Sequence, residues 1–149
     1  MTKKRKSFIT FLVLLFGMLF AGQASPVTRP PSYIVIVHPT NPVRAISRAF
    51  LRDAFLKSTT RWGDGAAIRP VDLSKSFPVY DEFAREILNK TPEQLRDYWS
   101  QLIYSGKGVP PPELGSETAM IIYVLRNPGA VGYLPVGSNP RGAAVVSVR

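Results

Sequence analysis

Stretches of strand character alternate with stretches of helical period along this 149-residue chain. That alternation predicts an α/β domain in which helices cover a small mixed sheet. Three observations carry the prediction. Tyr33-Ile34-Val35-Ile36-Val37 is a near-continuous β-branched run, as suits a strand buried on both faces. Helix start signals at Ser47, Thr91 and Ser116 each precede an apolar face. The chain has no Cys, so an apolar core rather than a disulfide framework must hold the fold.

The N-terminal residues read as a processing signal. Lys3, Lys4, Arg5 and Lys6 precede an apolar run from Phe8 to Phe20 broken only by Thr10 and Gly17. That run is shorter than the roughly 20 residues a membrane-crossing helix needs, so a cleavable signal peptide fits better than an uncleaved anchor. Gly22 and Ala24 are the small residues a signal peptidase requires, which sets residues 1–24 as the signal, with the cut after Ala24. The expectation is a periplasmic or secreted protein without a stable membrane span once the signal is removed. The lack of Cys excludes a lipid-modified cysteine. Cleavage would lower the formal charge from +9 to +5 and leave about 125 residues, enough for one domain and one core. A surplus of that size favours anionic partners without indicating nucleic acid, for which no motif is present.

Residues 25–32, with Pro26, Pro30 and Pro31, form an extended leader to a single domain over 33–149. After the first strand, His38-Pro39-Thr40-Asn41-Pro42 breaks the pattern. Ser47 caps a helix with Phe50, Leu51, Ala54 and Phe55 on its apolar side. Arg44, Arg48 and Arg52 would line one side if that helix began early, as an anion-attracting stripe or, more commonly, a solvated face. Arg61 to Gly65 is a turn around Trp62, and Ala67–Val71 is a strand that Pro70 places at an edge or strand end. Pro78–Leu88 is a second helix. Thr91-Pro92-Glu93-Gln94 has the pattern of a capping box, opening a third helix to about Tyr104 with Leu95, Tyr98, Trp99, Leu102 and Ile103 inward. Ser116 caps a fourth helix through Leu125, apolar nearly all round and expected to be deeply buried. Ala130–Leu134 and Ala143–Val148 close the series as strands.

The chemistry available is narrow. With no Cys and a single His, thiolate catalysis and a His-rich metal site are excluded, and no cofactor is implied. His38 reads as a strand-end residue.

Three segments resemble the phosphate-type substrate-binding proteins of ABC transporters. Leu51 to Lys57 followed by Arg61-Trp62-Gly63-Asp64-Gly65 is similar to that family's helix and tryptophan turn. Asp97-Tyr98-Trp99 followed by Ser105 to Pro111 is similar to its next helix and loop. Asn127-Pro128-Gly129-Ala130-Val131-Gly132-Tyr133 resembles its turn into a glycine–tyrosine strand. The resemblance implies one lobe of a type II periplasmic-binding-protein-like fold, since full-length members close two lobes over one oxyanion. A single lobe cannot bury a ligand by hinge closure.

Phosphate is commonly held by amide N–H groups at a helix N-terminus, aided by Ser and Thr hydroxyls. The stretch that matches the family's anion loop is Asp72-Leu73-Ser74-Lys75-Ser76-Phe77-Pro78. Ser76 and Phe77 occupy the place of the Gly-Ser pair that family members commonly carry before the helix, and Tyr80 stands where a basic residue is expected. Ser74, Lys75 and Ser76 are therefore the candidate ligand residues, although a Ser here is more often a plain cap. Thr40, Asn41 and Ser47 make a second polar cluster. Two roles follow: an exported binder of phosphate or a similar oxyanion serving an ABC transporter, or an envelope interaction module that keeps the lobe without a ligand. Phe77 and Tyr80, aromatic in place of donors, motivate the second. A Ser–Lys catalytic pair is disfavoured because adjacent loop residues rarely face each other, so the reading is a binder and not an enzyme.

Overall fold

The β-branched run at residues 33–37 forms the middle strand of the protein. The computed structural model describes residues 29–149. The expected signal peptide, its cut and the first half of the 25–32 leader lie outside them. β1 (Tyr33–Val37) lies in a five-stranded sheet with β2 (Ala45–Ile46), β3 (Arg69–Pro70), β6 (Ala130–Pro135) and β7 (Ala144–Val148), in the order β2-β7-β1-β6-β3. β1 is antiparallel to β6 and β7, whereas β2–β7 and β3–β6 are parallel, so the sheet is mixed as expected. β4 (Asp72–Leu73) and β5 (Glu113–Leu114) form a separate parallel pair. The helices are α1 (Arg48–Phe55), α2 (Pro78–Glu86), α3 (Pro92–Tyr104) and α4 (Glu117–Arg126).

Strand alternation sorts the helices into two layers. Val35 pairs with Tyr133 and Ile36 with Gly132, so adjacent pairs face opposite sides of the sheet. On one side Tyr133 stacks on Phe83 of α2 at 3.9 Å, and Phe55 of α1 meets Phe83 at 4.8 Å and Tyr133 at 6.0 Å. Tyr33 adds an edge contact to Phe83 at 5.3 Å. Each such pair contributes about 0.5–1.5 kcal/mol beyond its burial. On the other side α4 presses Met120 against Gly132, where an added Cβ would collide with the Met120 sulfur.

Three capping readings hold: Phe50 N–H donates to the Ser47 hydroxyl at 3.1 Å, the Thr91–Gln94 box is complete in both directions, and Ala119 N–H donates to the Ser116 hydroxyl at 3.0 Å. Pro70 stands on the edge strand β3, where its missing N–H costs the sheet little. The expected Ala67–Val71 strand divides, however. Val71 N–H still donates to Val131, but Asp72 N–H turns to Pro112 and starts the β4–β5 pair.

Burial departs from expectation in α3 and α4. Only Leu95 of α3 is fully buried, with Tyr98, Trp99 and Leu102 half-buried, and Ile103 is 53% exposed. The inward stripe is Leu95, Tyr98, Trp99 and Leu102 at i, i+3, i+4 and i+7, and Ile103 falls one position beyond it. α4 buries Met120, Ile121 and Val124 while Ile122 is 43% exposed, because the helix is an outer layer with the sheet on one side only. The Arg44–Arg48–Arg52 stripe is not formed. α1 begins at Arg48, Arg44 lies ahead of β2 with its guanidinium on the Asn41 and Val43 carbonyls, and Arg52 pairs with Asp53 at 3.1 Å. Among the described residues no helix is long and apolar enough to cross a membrane.

Candidate functional site

The stretch Ser74–Ser76 leads from β4 into α2, at the end of the sheet where β1 begins. β3 runs parallel to β6 with Arg69 opposite Ala130, while Tyr33 is opposite Pro135. Residues that follow β3 therefore advance toward the Tyr33 end. Thr40 and Asn41 follow Val37 at the other end. Ser47 follows Ile46, which pairs with Val148 on β7, and so returns to the Tyr33 end, but at the opposite edge from Ser74–Ser76. The two predicted polar clusters do not form one site.

The second cluster is occupied by its own turn. His38 Nδ1 accepts from Thr40 N–H at 3.1 Å and lies 2.7 Å from the Thr40 hydroxyl. Asn41, 6% exposed, donates its N–H to the His38 carbonyl at 2.9 Å and accepts from Val43 N–H through Oδ1 at 2.9 Å. This is the side-chain turn chemistry of a short loop. Ser47 is the α1 cap, and Arg48 N–H at that helix start donates to the Arg149 main-chain oxygen at 2.8 Å.

The first cluster is also bonded internally. Ser74 N–H donates to Leu114 O at 2.8 Å, and Lys75 N–H to the Glu113 carboxylate at 3.2 Å. Ser76 N–H donates to Ser74 Oγ at 3.3 Å, and Phe77 N–H to Ser74 O at 2.9 Å. The two serine hydroxyls are 3.1 Å apart. Neither serine caps α2. Phe77 takes that position without a side-chain bond, and Pro78 at the first helical turn removes a donor that needs no partner. What the loop still offers a ligand is the exposed Lys75 side chain, the serine oxygens and the first-turn end of α2.

The surroundings of the loop are acidic. Asp72 accepts from the Tyr133 hydroxyl at 2.9 Å. Burial raises its carboxyl to about 7, the nearby Glu113 charge adds to this, and the Tyr133 hydrogen bond and Lys75 oppose it. Burial, with the charges of Asp72, Glu113 and Asp81, raises Tyr80 to about 12. Burial and Asp72 also push Tyr133 well above the ordinary phenol range. Both rings therefore stay neutral at physiological pH, and the Tyr133 hydroxyl donates to Asp72. Sequence reasoning singled out the serines and passed over Asp72, Glu113 and Tyr133. Asp72 adjoins the loop and was visible as a charge next to a presumed anion site. Glu113 lies 38 residues from Lys75, and only the β4–β5 pairing brings it near.

Two concavities lie away from the loop among the described residues. One, of about 280 Å³, opens beside Val43, Ile46, Ser47, Phe50 and Trp62 at the start of α1, and is mostly apolar. Trp62 is locked there by its indole N–H on Gly129 O at 3.0 Å and by Phe50 at 5.7 Å. Another, of about 480 Å³, lies beside Ser100, Gln101, Tyr104 and Ser105 at the end of α3, where Tyr104 is 98% exposed.

No family model and no curated protein matches the chain. Solved structures do. An ABC-type phosphate transport receptor from Vibrio cholerae matches with a TM-score of 0.63 at 19% identity, covering 78% of this chain and 46% of that one. PstS from Borrelia burgdorferi matches at 0.61 with 20% identity, over 79% of this chain and 47% of that one. A Clostridium perfringens protein solved with bound phosphate matches at 0.61 and 20%, over 78% and 44%. This chain thus spans less than half the length of each. Of the segments that carried the resemblance, Trp62 is buried, and the Asn127–Gly129 turn delivers Ala130 into β6 through its N–H on Asn127 O at 2.8 Å. The chain has the mixed α/β fold of the phosphate-type substrate-binding proteins, over less than half of their length.

Proposed function

We propose that this chain is an exported substrate-binding-like protein that takes phosphate or a similar oxyanion at the Ser74-Lys75-Ser76 loop, with an ABC transport system as its partner. The observation that carries this reading is the fold match across 78% of the chain to phosphate transport receptors, one of them solved with phosphate bound. The loop adds two hydroxyls and a cationic side chain at the start of α2. One feature limits its strength: three of its amides already donate within the chain, so affinity in the millimolar range is expected. Export rests on residues 1–24, and the basic start, apolar centre and small residues there support it. The role is binding and not catalysis, as the serine hydroxyls lie against each other. Isothermal titration of the exported chain with phosphate and with sulfate tests the reading; no heat and no change in Tm at millimolar ligand refutes it.

A second reading, an envelope interaction module that keeps the lobe without a ligand, is favoured by one observation. Ile103, Tyr104 and Val109, all exposed, cluster in sequence at the end of α3 and the loop beyond it. Aromatic and aliphatic side chains in the open are enriched at protein interfaces. A monomeric chain that recovers no partner from envelope extracts excludes this reading.

A further inference from the structure

The loop at Ser74–Ser76 is fastened from one direction, by the segment that precedes α4. Asp72 N–H donates to Pro112 O and Ser74 N–H to Leu114 O, which sets Asp72 level with Glu113 on the paired strand. The side chain of Glu113 then crosses to Lys75 and accepts its N–H at 3.2 Å. A carboxylate oxygen on a loop amide is chemically what an oxyanion would place there. We propose that Glu113 is an internal competitor for the anion loop, a latch that keeps the Lys75 amide engaged until an incoming oxyanion displaces it. This rests on the reading of Ser74–Ser76 as the anion loop given above.

The charged and titratable groups facing the latch come from every neighbouring element: Asp72 from β4, Tyr133 from β6, Tyr80 and Asp81 from α2, and Lys75 from the loop itself. Two carboxyls at one end of a short parallel pair oppose an arriving anion, and Lys75 is the one cation among these groups. Asp72, held near 7, gains its proton as pH falls from 8 to 6. One negative charge beside the loop is then neutralised, and anion uptake strengthens on the acid side. Tyr80 and Tyr133 stay neutral across this range and do not contribute to the change.

Glu113 is exposed, so its replacement leaves the core intact. The test compares the exported chain with its Glu113→Ala and Glu113→Gln variants by amide hydrogen exchange and by titration with inorganic phosphate. Glu113→Ala removes the acceptor, and is expected to speed exchange of the Lys75 amide and to tighten phosphate by about tenfold, the size of one hydrogen bond to a charged group. Glu113→Gln keeps an acceptor oxygen without the charge, so the Lys75 amide stays protected while phosphate binding improves by less. Unchanged exchange at Lys75 in Glu113→Ala overturns the latch. So does phosphate binding that is equal in the unmodified chain and in Glu113→Ala, which leaves the anion reading standing. Faster exchange with phosphate bound by neither protein overturns the anion reading itself, and the competition falls with it.

Discussion

Replacing Asp72 by Asn should make this protein more stable in mild alkali and leave it nearly unchanged in acid. Asp72 is raised from 3.8 to about 7, first by burial and then by the charge of Glu113. The folded chain therefore holds a proton that the unfolded chain releases. Wherever the native state binds more protons, stability falls as pH rises. The loss runs across the interval from about 4 to about 7 and is complete above it. At 1.36 kcal/mol for each tenfold change in protonation, the full interval corresponds to about 4 kcal/mol. Relaxation of Glu113 and residual structure in the unfolded chain reduce this, so a gain of about 2–4 kcal/mol is expected for Asp72→Asn at pH 8. In a domain of this size that is roughly 10 °C in Tm. Asn retains an oxygen for the Tyr133 hydroxyl, now 2.9 Å from Asp72 Oδ1, so the packing of the stacked Phe83–Tyr133 pair is kept. Urea titrations followed by circular dichroism at pH 4, 6 and 8 measure the effect. Parallel stability curves for the two proteins, or a variant weaker at pH 8, would refute the reasoning.

Phe83→Ala removes the ring shared by Tyr33, Phe55 and Tyr133, and should cost about 3–5 kcal/mol in chemical denaturation. Gly132→Ala forces Met120 off the sheet, and also crowds Val71 Cγ1 at 3.1 Å; a loss of about 1–3 kcal/mol is expected, and Met120→Ala in the same chain should recover part of it. Thr91→Ala breaks one half of the α3 capping box and should cost about 1 kcal/mol, with faster amide exchange confined to the first turn of that helix.

Local chemistry was the legible part of this sequence. The caps at Ser47, Thr91 and Ser116, the buried strand at Tyr33–Val37 and the edge position of Pro70 are each fixed by the residue and its near neighbours. Layering was less legible. Nothing in α4 alone distinguishes a helix packed on two sides from an outer one, because Ile121 and Ile122 look alike until the sheet is in place. The candidate loop was found by its serines, and their bonding state was not readable. Which amides donate to Leu114 and Glu113 depends on a two-residue pairing between segments some 40 residues apart, too short to leave a periodic signal. Phe77 and Tyr80 did give warning that the loop departs from an open anion cradle. Thr40 and Asn41 close their own turn, and residues suited to bind a ligand are equally suited to do that.

Both borders of the five-stranded sheet consist of strands only two residues long, and one of them holds Pro70. Short borders offer another polypeptide little ladder to extend, a common safeguard against aggregation. It also follows that a binding partner would have to grip side chains, on the exposed helix ends or the loops, and not add a strand of its own.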